Sequence, residues 1–203
     1  DAARASWCEN NLFVCMCIMG NYHSAHGSFP PAYTVDENGT RLHSWRVTTI
    51  PYRGAGGHQL YSAYNFELPW NDPSNMKIAN LASLSERQCP NNRNGHNDRN
   101  TDYVAITGAG TVFPHGMTTC FDDIKDGLEN TIVFVEIADS DIHWSEPRDM
   151  DIDEMSFVIN DPDKISISSR NQFGPGVVFA DHGVYRIQKQ IPPDNLRALM
   201  TID

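Results

Sequence analysis

The sequence predicts an α+β fold. An unbroken helical stretch opens the chain, meandering strand-forming runs follow, and a loop-rich region lies between them. A helix segregated from the strands in this order belongs to that class. A chain of 203 residues suits a single domain, and apolar residues at 40% can build its core.

The first element runs from about Ala2 to His26, ended by Gly27 and by the Pro30-Pro31 pair, which cannot continue a helix. Leu12 to Met19 is apolar on every side. Such a helix is buried in a core, in a membrane or against copies of itself. No start signal precedes it, which raises the expectation that the chain begins inside a longer helix.

Residues 33 to 75 are rich in Tyr, Trp, Asn, Gly and Pro and read as loops and short strands. Glu37-Asn38-Gly39-Thr40 reads as a turn, Arg46 to Ile50 as a short strand, and Pro69 to Asn75 as another turn region. Cys89 to Asp102 is polar and Asn-rich, an expected exposed loop. Strand signals then strengthen at Tyr103 to Thr107 and Thr131 to Ile137. Gly176 to Ala180 and Gly183 to Ile187 flank Asp181-His182 as a hairpin. After Pro192-Pro193, Asp194 to Thr201 reads as a closing helix with Leu196, Leu199 and Met200 inward.

Several blocks carry a resemblance. Cys8-Glu9-Asn10-Asn11-Leu12, Asn21-Tyr22-His23 and Gly27-Ser28-Phe29-Pro30-Pro31 open it. Leu42-His43-Ser44-Trp45-Arg46-Val47, Pro51-Tyr52, Cys89-Pro90 and Thr101-Asp102-Tyr103-Val104 continue it. Ile124-Lys125-Asp126-Gly127, Asn130-Thr131-Ile132, Glu136, Trp144, Glu146-Pro147 and Asp149 follow in order. Together they resemble the planctomycete prepilin-like proteins with the DUF1559 (H-X9-DG) domain. The naming motif is only partly present: Val177 to Asp181 matches its strand, but Asn171 stands where the family has histidine and His182 where it has glycine.

The resemblance implies a pilin-like architecture, an N-terminal helix whose C-terminal half packs on an antiparallel sheet with long loops. Residues 1–27 would be that part of the helix and 28–203 the globular α+β part of one domain. It also implies an upstream basic leader, a prepilin cleavage site and an apolar helix of about 20 residues, long enough to span a bilayer. Asp1-Ala2-Ala3-Arg4 resembles the end of that helix. Cys8 and Cys89 both lie in resembling blocks and are the expected disulfide. Cys15 and Cys17 fall on different helix faces and should not pair with each other.

Composition narrows the function classes. The formal charge of −11 argues against a nucleic-acid surface and against docking on anionic lipid. No run of 18 apolar residues is present, so the sequence given carries no transmembrane span.

Chemical motifs are weak. His23 and His26 share helical spacing but lack a third metal ligand. Asp149-Met150-Asp151-Ile152-Asp153 resembles the start of an EF-hand loop, yet Glu154 and Asn160 stand where glycine and glutamate are needed. A looser calcium site would draw on Asp139, Asp141, Glu146, Asp149 and Asp151. Asp122-Asp123 and Asp126-Gly127 read as turn chemistry. Ser44 with His43, and Ser145 with His143, lack a nucleophile elbow, and the glycine-rich stretches lack a phosphate-loop lysine. Trp45, Trp70, Trp144, Tyr52, Tyr61 and Tyr64 are candidates for a sugar-binding groove, set against a role in satellite cores.

The expected function is structural and not enzymatic: an extracytoplasmic pilin-like subunit polymerising with copies of itself into a filament, tubule or lattice. Leu12, Phe13, Val14, Met16, Ile18 and Met19 are the expected assembly helix. The alternative is a membrane-tethered module that binds a glycan or solute. No cofactor beyond calcium is expected.

Overall fold

The computed structural model describes residues 2–54, 57–82, 87–90 and 99–203. Within Cys89–Asp102, which reads as a loop, residues 91–98 lie outside the described residues. The elements are α1 (Ala2–His26), β1 (Tyr33–Val35), β2 (Arg41–Ser44), α2 (Trp45–Thr48), α3 (Gly57–Ala63), α4 (Pro73–Leu81) and β3 (Tyr103–Thr107). Then come β4 (Ile132–Glu136), β5 (Met150–Asp151), β6 (Gly176–Phe179), β7 (Val184–Arg186) and α5 (Pro193–Ala198). A 3₁₀ turn, Ile50–Arg53, follows α2.

The α+β expectation holds. α1 ends as its sequence predicts: Gly27 takes φ +75° and its N–H donates to the His23 carbonyl at 2.7 Å. That left-handed position is cheap only for glycine. The helix lies on a five-stranded sheet of order β5-β3-β4-β6-β7, touching β4, β6 and β7. The sheet is mixed, because β5 runs parallel to β3 while the other pairs are antiparallel.

Both faces of the sheet are covered. Tyr103, Ala105, Phe134 and Val178 meet α1 on one side. Val104, Ile106, Val135 and Val177 meet Ile152, Ile159, Leu196 and Met200 on the other. Every residue of β3, β4 and β6 is therefore buried. Strands buried on both faces read as continuous apolar runs, which is why these three were plain in the sequence.

The segment before β3 departs from expectation. Arg46 to Ile50 is not a strand but α2 and the following turn. Ser44 Oγ accepts the Arg46 N–H at 3.2 Å and caps the helix, and Pro51 stands in the first turn of the 3₁₀ segment. Both are start signals that override the β propensity of Val47-Thr48-Thr49. Pro69 to Asn75 likewise holds the start of α4 rather than a turn alone. Asp72 accepts from Ser74 N–H at 2.9 Å, with Pro73 at the first helical position. Val47, Ile50, Tyr64, Ala79, Ala82 and Trp144 close a third, smaller core here.

Candidate functional site

The first helix is sunk into the domain. Leu12, Met16 and Met19 are fully buried and Ile18 is 2% exposed. These four pack inside this chain, with Trp45, Phe113, Phe134 and Val178 in the same cluster. The expectation that they face copies of the chain is thus corrected. The sheet covers one side of the helix, and Phe29, Ala32, Trp45 and Tyr52 from the segments that follow close over part of the rest. The absence of a side chain at Gly176 lets the helix sit close, since a Cβ there would meet Leu12 Cδ1 at 2.7 Å.

Of the six assembly-helix residues, Val14 is half-buried and Phe13 is exposed. Trp7 at 57% and Phe13 at 44% are the large apolar side chains that α1 turns to solvent. Phe13 lies edge-on to His182, with ring centroids 6.1 Å apart. Among the described residues, no helix is long and apolar enough to cross a membrane.

The start of α1 is clasped from two sides. Cys8 and Cys89 form a disulfide across 81 residues of sequence, with Cα atoms 5.1 Å apart. Cys15, Cys17 and Cys120 are free thiols. Arg186 on β7 donates to Glu9 at 2.7 Å and to the Ala5 carbonyl at 2.7 Å. Its guanidinium also lies 3.7 Å from Glu136, a fully buried carboxylate. Glu136 accepts from Gly176 N–H at 2.9 Å and from Ser169 Oγ at 2.8 Å. Burial still raises its pKa, against those hydrogen bonds and Arg186. Cys8, Cys89 and Glu136 are the one group of three potential metal ligands among the described residues. With the sulfurs joined to each other, no thiolate is offered to an ion.

The carboxylates considered for calcium do not converge. Asp149 is buried and paired with Arg46, Nη2 to Oδ1 at 2.5 Å, and also accepts from Trp45 Nε1 and Ala105 N–H. Desolvation raises its pKa while the Arg46 charge lowers it. Asp139 pairs with Arg170 at 2.6 Å and Asp151 with His115 at 2.8 Å. Arg148 takes both Glu146 at 2.7 Å and Asp141 at 3.0 Å. Asp139 and Asp141 do line one cavity of about 340 Å³, but Arg148 and Lys164 line it too. Each carboxylate has found a basic side chain of this chain.

The remaining motifs fall into structural places. His23 packs on Phe29 and Phe121, and His26 bonds Tyr52 and stacks on Tyr22. Ser44 caps α2, while His43 reaches the Phe66 carbonyl. His143 Nδ1 lies 2.8 Å from Ser145 Oγ, and both residues are buried. Burial, with help from the Arg87 charge, pushes the His143 pKa down to about 4. Asp123 caps a 3₁₀ turn, and Gly127 takes φ +95°. Trp45, Trp144 and Tyr64 are buried, so the aromatic set does not form a groove. Asn171 Oδ1 accepts the Phe173 N–H in a turn.

The buried Arg46–Asp149 pair and the Glu136 site went unread in the sequence. Their partners lie tens of residues apart, and the one available signal was a charged residue set inside an apolar block. A family model described as a protein of unknown function, DUF1559, matches residues 1–116, more than half of the chain. No curated protein and no solved structure matches.

Proposed function

This chain belongs to the DUF1559 family, and from that membership we propose that it is a structural, pilin-like subunit of an extracytoplasmic assembly. The observation that carries the reading is the layout of α1: a 25-residue helix clamped on a sheet while Trp7 and Phe13 stay exposed. Exposed aromatic residues on a rigid helix are the kind of anchor that interfaces use. Repeating one heterologous contact gives an open, helical assembly. The Cys8–Cys89 disulfide supports a place outside the reducing cytoplasm. The net charge of −11 keeps free subunits soluble until specific contacts form.

The test is negative-stain electron microscopy of the purified chain without detergent or ligand, beside a variant carrying Trp7→Ser and Phe13→Ser. Regular filaments, tubes or sheets for the parent and none for the variant are expected. Dispersed particles from both would overturn the proposal in favour of a tethered binding module.

A further inference from the structure

The end of the sheet opposite β5 is open. Among the described residues β7 is the outer strand, paired only with β6. Phe179 N–H bonds the Gly183 carbonyl at 2.9 Å and Ile187 N–H bonds the Pro175 carbonyl at 3.0 Å, with Val177 opposite Tyr185. In an antiparallel ladder successive residues turn their backbone groups to alternate sides. Gly183, Tyr185 and Ile187 face β6, so Val184 and Arg186 present N–H and C=O outward. Neither makes an outward backbone bond among the described residues. The strand carries no proline and no lysine, two common blocks to strand addition.

An apolar groove runs beside this edge. A hollow of about 550 Å³ is lined by Phe179, Tyr185, Ile187, Ile191 and Leu199. Ile191 and Leu199 continue into a second hollow of about 530 Å³. Tyr185 is 58% exposed and meets Phe179 edge-on at 5.5 Å. Charge adds direction. Glu129 and Asp126 line the two hollows and are exposed, while the cation there, Arg186, is engaged by Glu9.

We propose that β7 and this groove bind an extended peptide segment of a partner protein, added to the sheet as a sixth strand. Outward backbone groups select an extended chain, and alternate apolar side chains of that chain would fill the groove. The acidic rim favours lysine or arginine in the ligand, and it disfavours a second copy of a chain whose net charge is −11. The groove lies wholly beyond residue 116, outside the stretch matched by the family model. The proposal goes beyond the assembly reading and does not depend on it.

The experiment pans a displayed library of random twelve-residue peptides on the immobilised full chain, then titrates a synthetic selected peptide by calorimetry. One-to-one binding by peptides with alternating apolar residues and a lysine or arginine is expected. Val184→Pro removes one outward donor and leaves the ladder to β6 intact, so it should weaken binding about tenfold at unchanged melting temperature. Tyr185→Ser should weaken it as well. Should Val184→Pro fail to fold, N-methylation of alternate amides in the peptide removes the same bonds from the other side, with the same loss expected. Failure to select any peptide, or binding indifferent to both proline and N-methylation, would overturn the proposal. Self-association of the parent chain that Val184→Pro abolishes would also overturn it, giving the edge to a second copy.

Discussion

The two faces of α1 carry similar apolar residues and meet opposite fates. Leu12, Met16, Ile18 and Met19 vanish into the core, whereas Phe13, next to Leu12, and Trp7, in the turns before it, stand in solvent. Residue type alone does not separate them, since Phe13 is as apolar as Leu12. What separates them is whether the sheet or the loops reach that angle of the helix. The buried face is therefore a folding determinant, and the exposed pair is the apolar surface that α1 leaves to solvent.

The largest effect expected is on the buried face. Ile18→Asp places a carboxylate at a position that is 2% exposed, with a cost of about 5 kcal/mol or more. Urea denaturation should show an unfolded or molten chain. A folded variant that merely fails to assemble would return Ile18 to the interface and break the distinction between the faces.

Next comes the clasp. The disulfide closes a loop spanning 81 residues, for which chain entropy gives about 4.5 kcal/mol. Replacing Cys8 and Cys89 together with serine should lower the denaturation midpoint accordingly. An unchanged midpoint would mean that packing of Leu12 and Met16 alone seats the helix.

The loop cover is held by the Arg46–Asp149 pair. Asp149→Ala leaves a buried guanidinium without its carboxylate, and breaking such a pair costs about 3–5 kcal/mol. Replacing Arg46 with Met and Asp149 with Leu together should recover much of that loss. If the double replacement is no better than the single, the pair contributes more than the charge it neutralises.

These outcomes bear on what was legible in the sequence. The end of α1 was readable because Gly27 and two prolines act locally. β3, β4 and β6 were readable because burial on both faces writes itself as apolar runs. The disulfide followed from blocks shared with a family. The fate of the carboxylates was not readable: Asp149 finds its cation 103 residues away, and Asp139 meets Arg170 only once the chain turns. α2 and α4 were missed because their caps, Ser44 and Asp72, look like ordinary turn residues until their hydrogen bonds are seen. The burial of Ile18 depends on loops whose paths no periodicity reports.

A smaller effect tests the ground beneath the helix. Burial holds the Glu136 carboxyl above its ordinary value of 4.5, with Gly176 N–H, Ser169 Oγ and Arg186 pulling the other way. The folded chain then binds that proton more readily than the unfolded one. This share of stability is whole below pH 4.5 and is lost as pH rises through the folded value. Glu136→Gln can still offer an oxygen to Gly176 and an amide to Ser169, so it should fold and should lose this part of the pH dependence. Denaturation midpoints between pH 4 and 8 that run parallel for both proteins would show that Glu136 does not titrate there.

The smallest expected effect on stability is the most informative about function. Trp7→Ser with Phe13→Ser removes side chains that are 57% and 44% exposed, so the folding free energy should move by only about 0.5 kcal/mol. Assembly should disappear all the same, because truncating two aromatic anchors of a repeated contact acts at every junction. Light scattering across a concentration series reads this directly, with thermal melts confirming the fold. If scattering is unchanged while the fold is intact, the exposed face of α1 is not the contact, and the two faces differ only in how the domain happens to cover them.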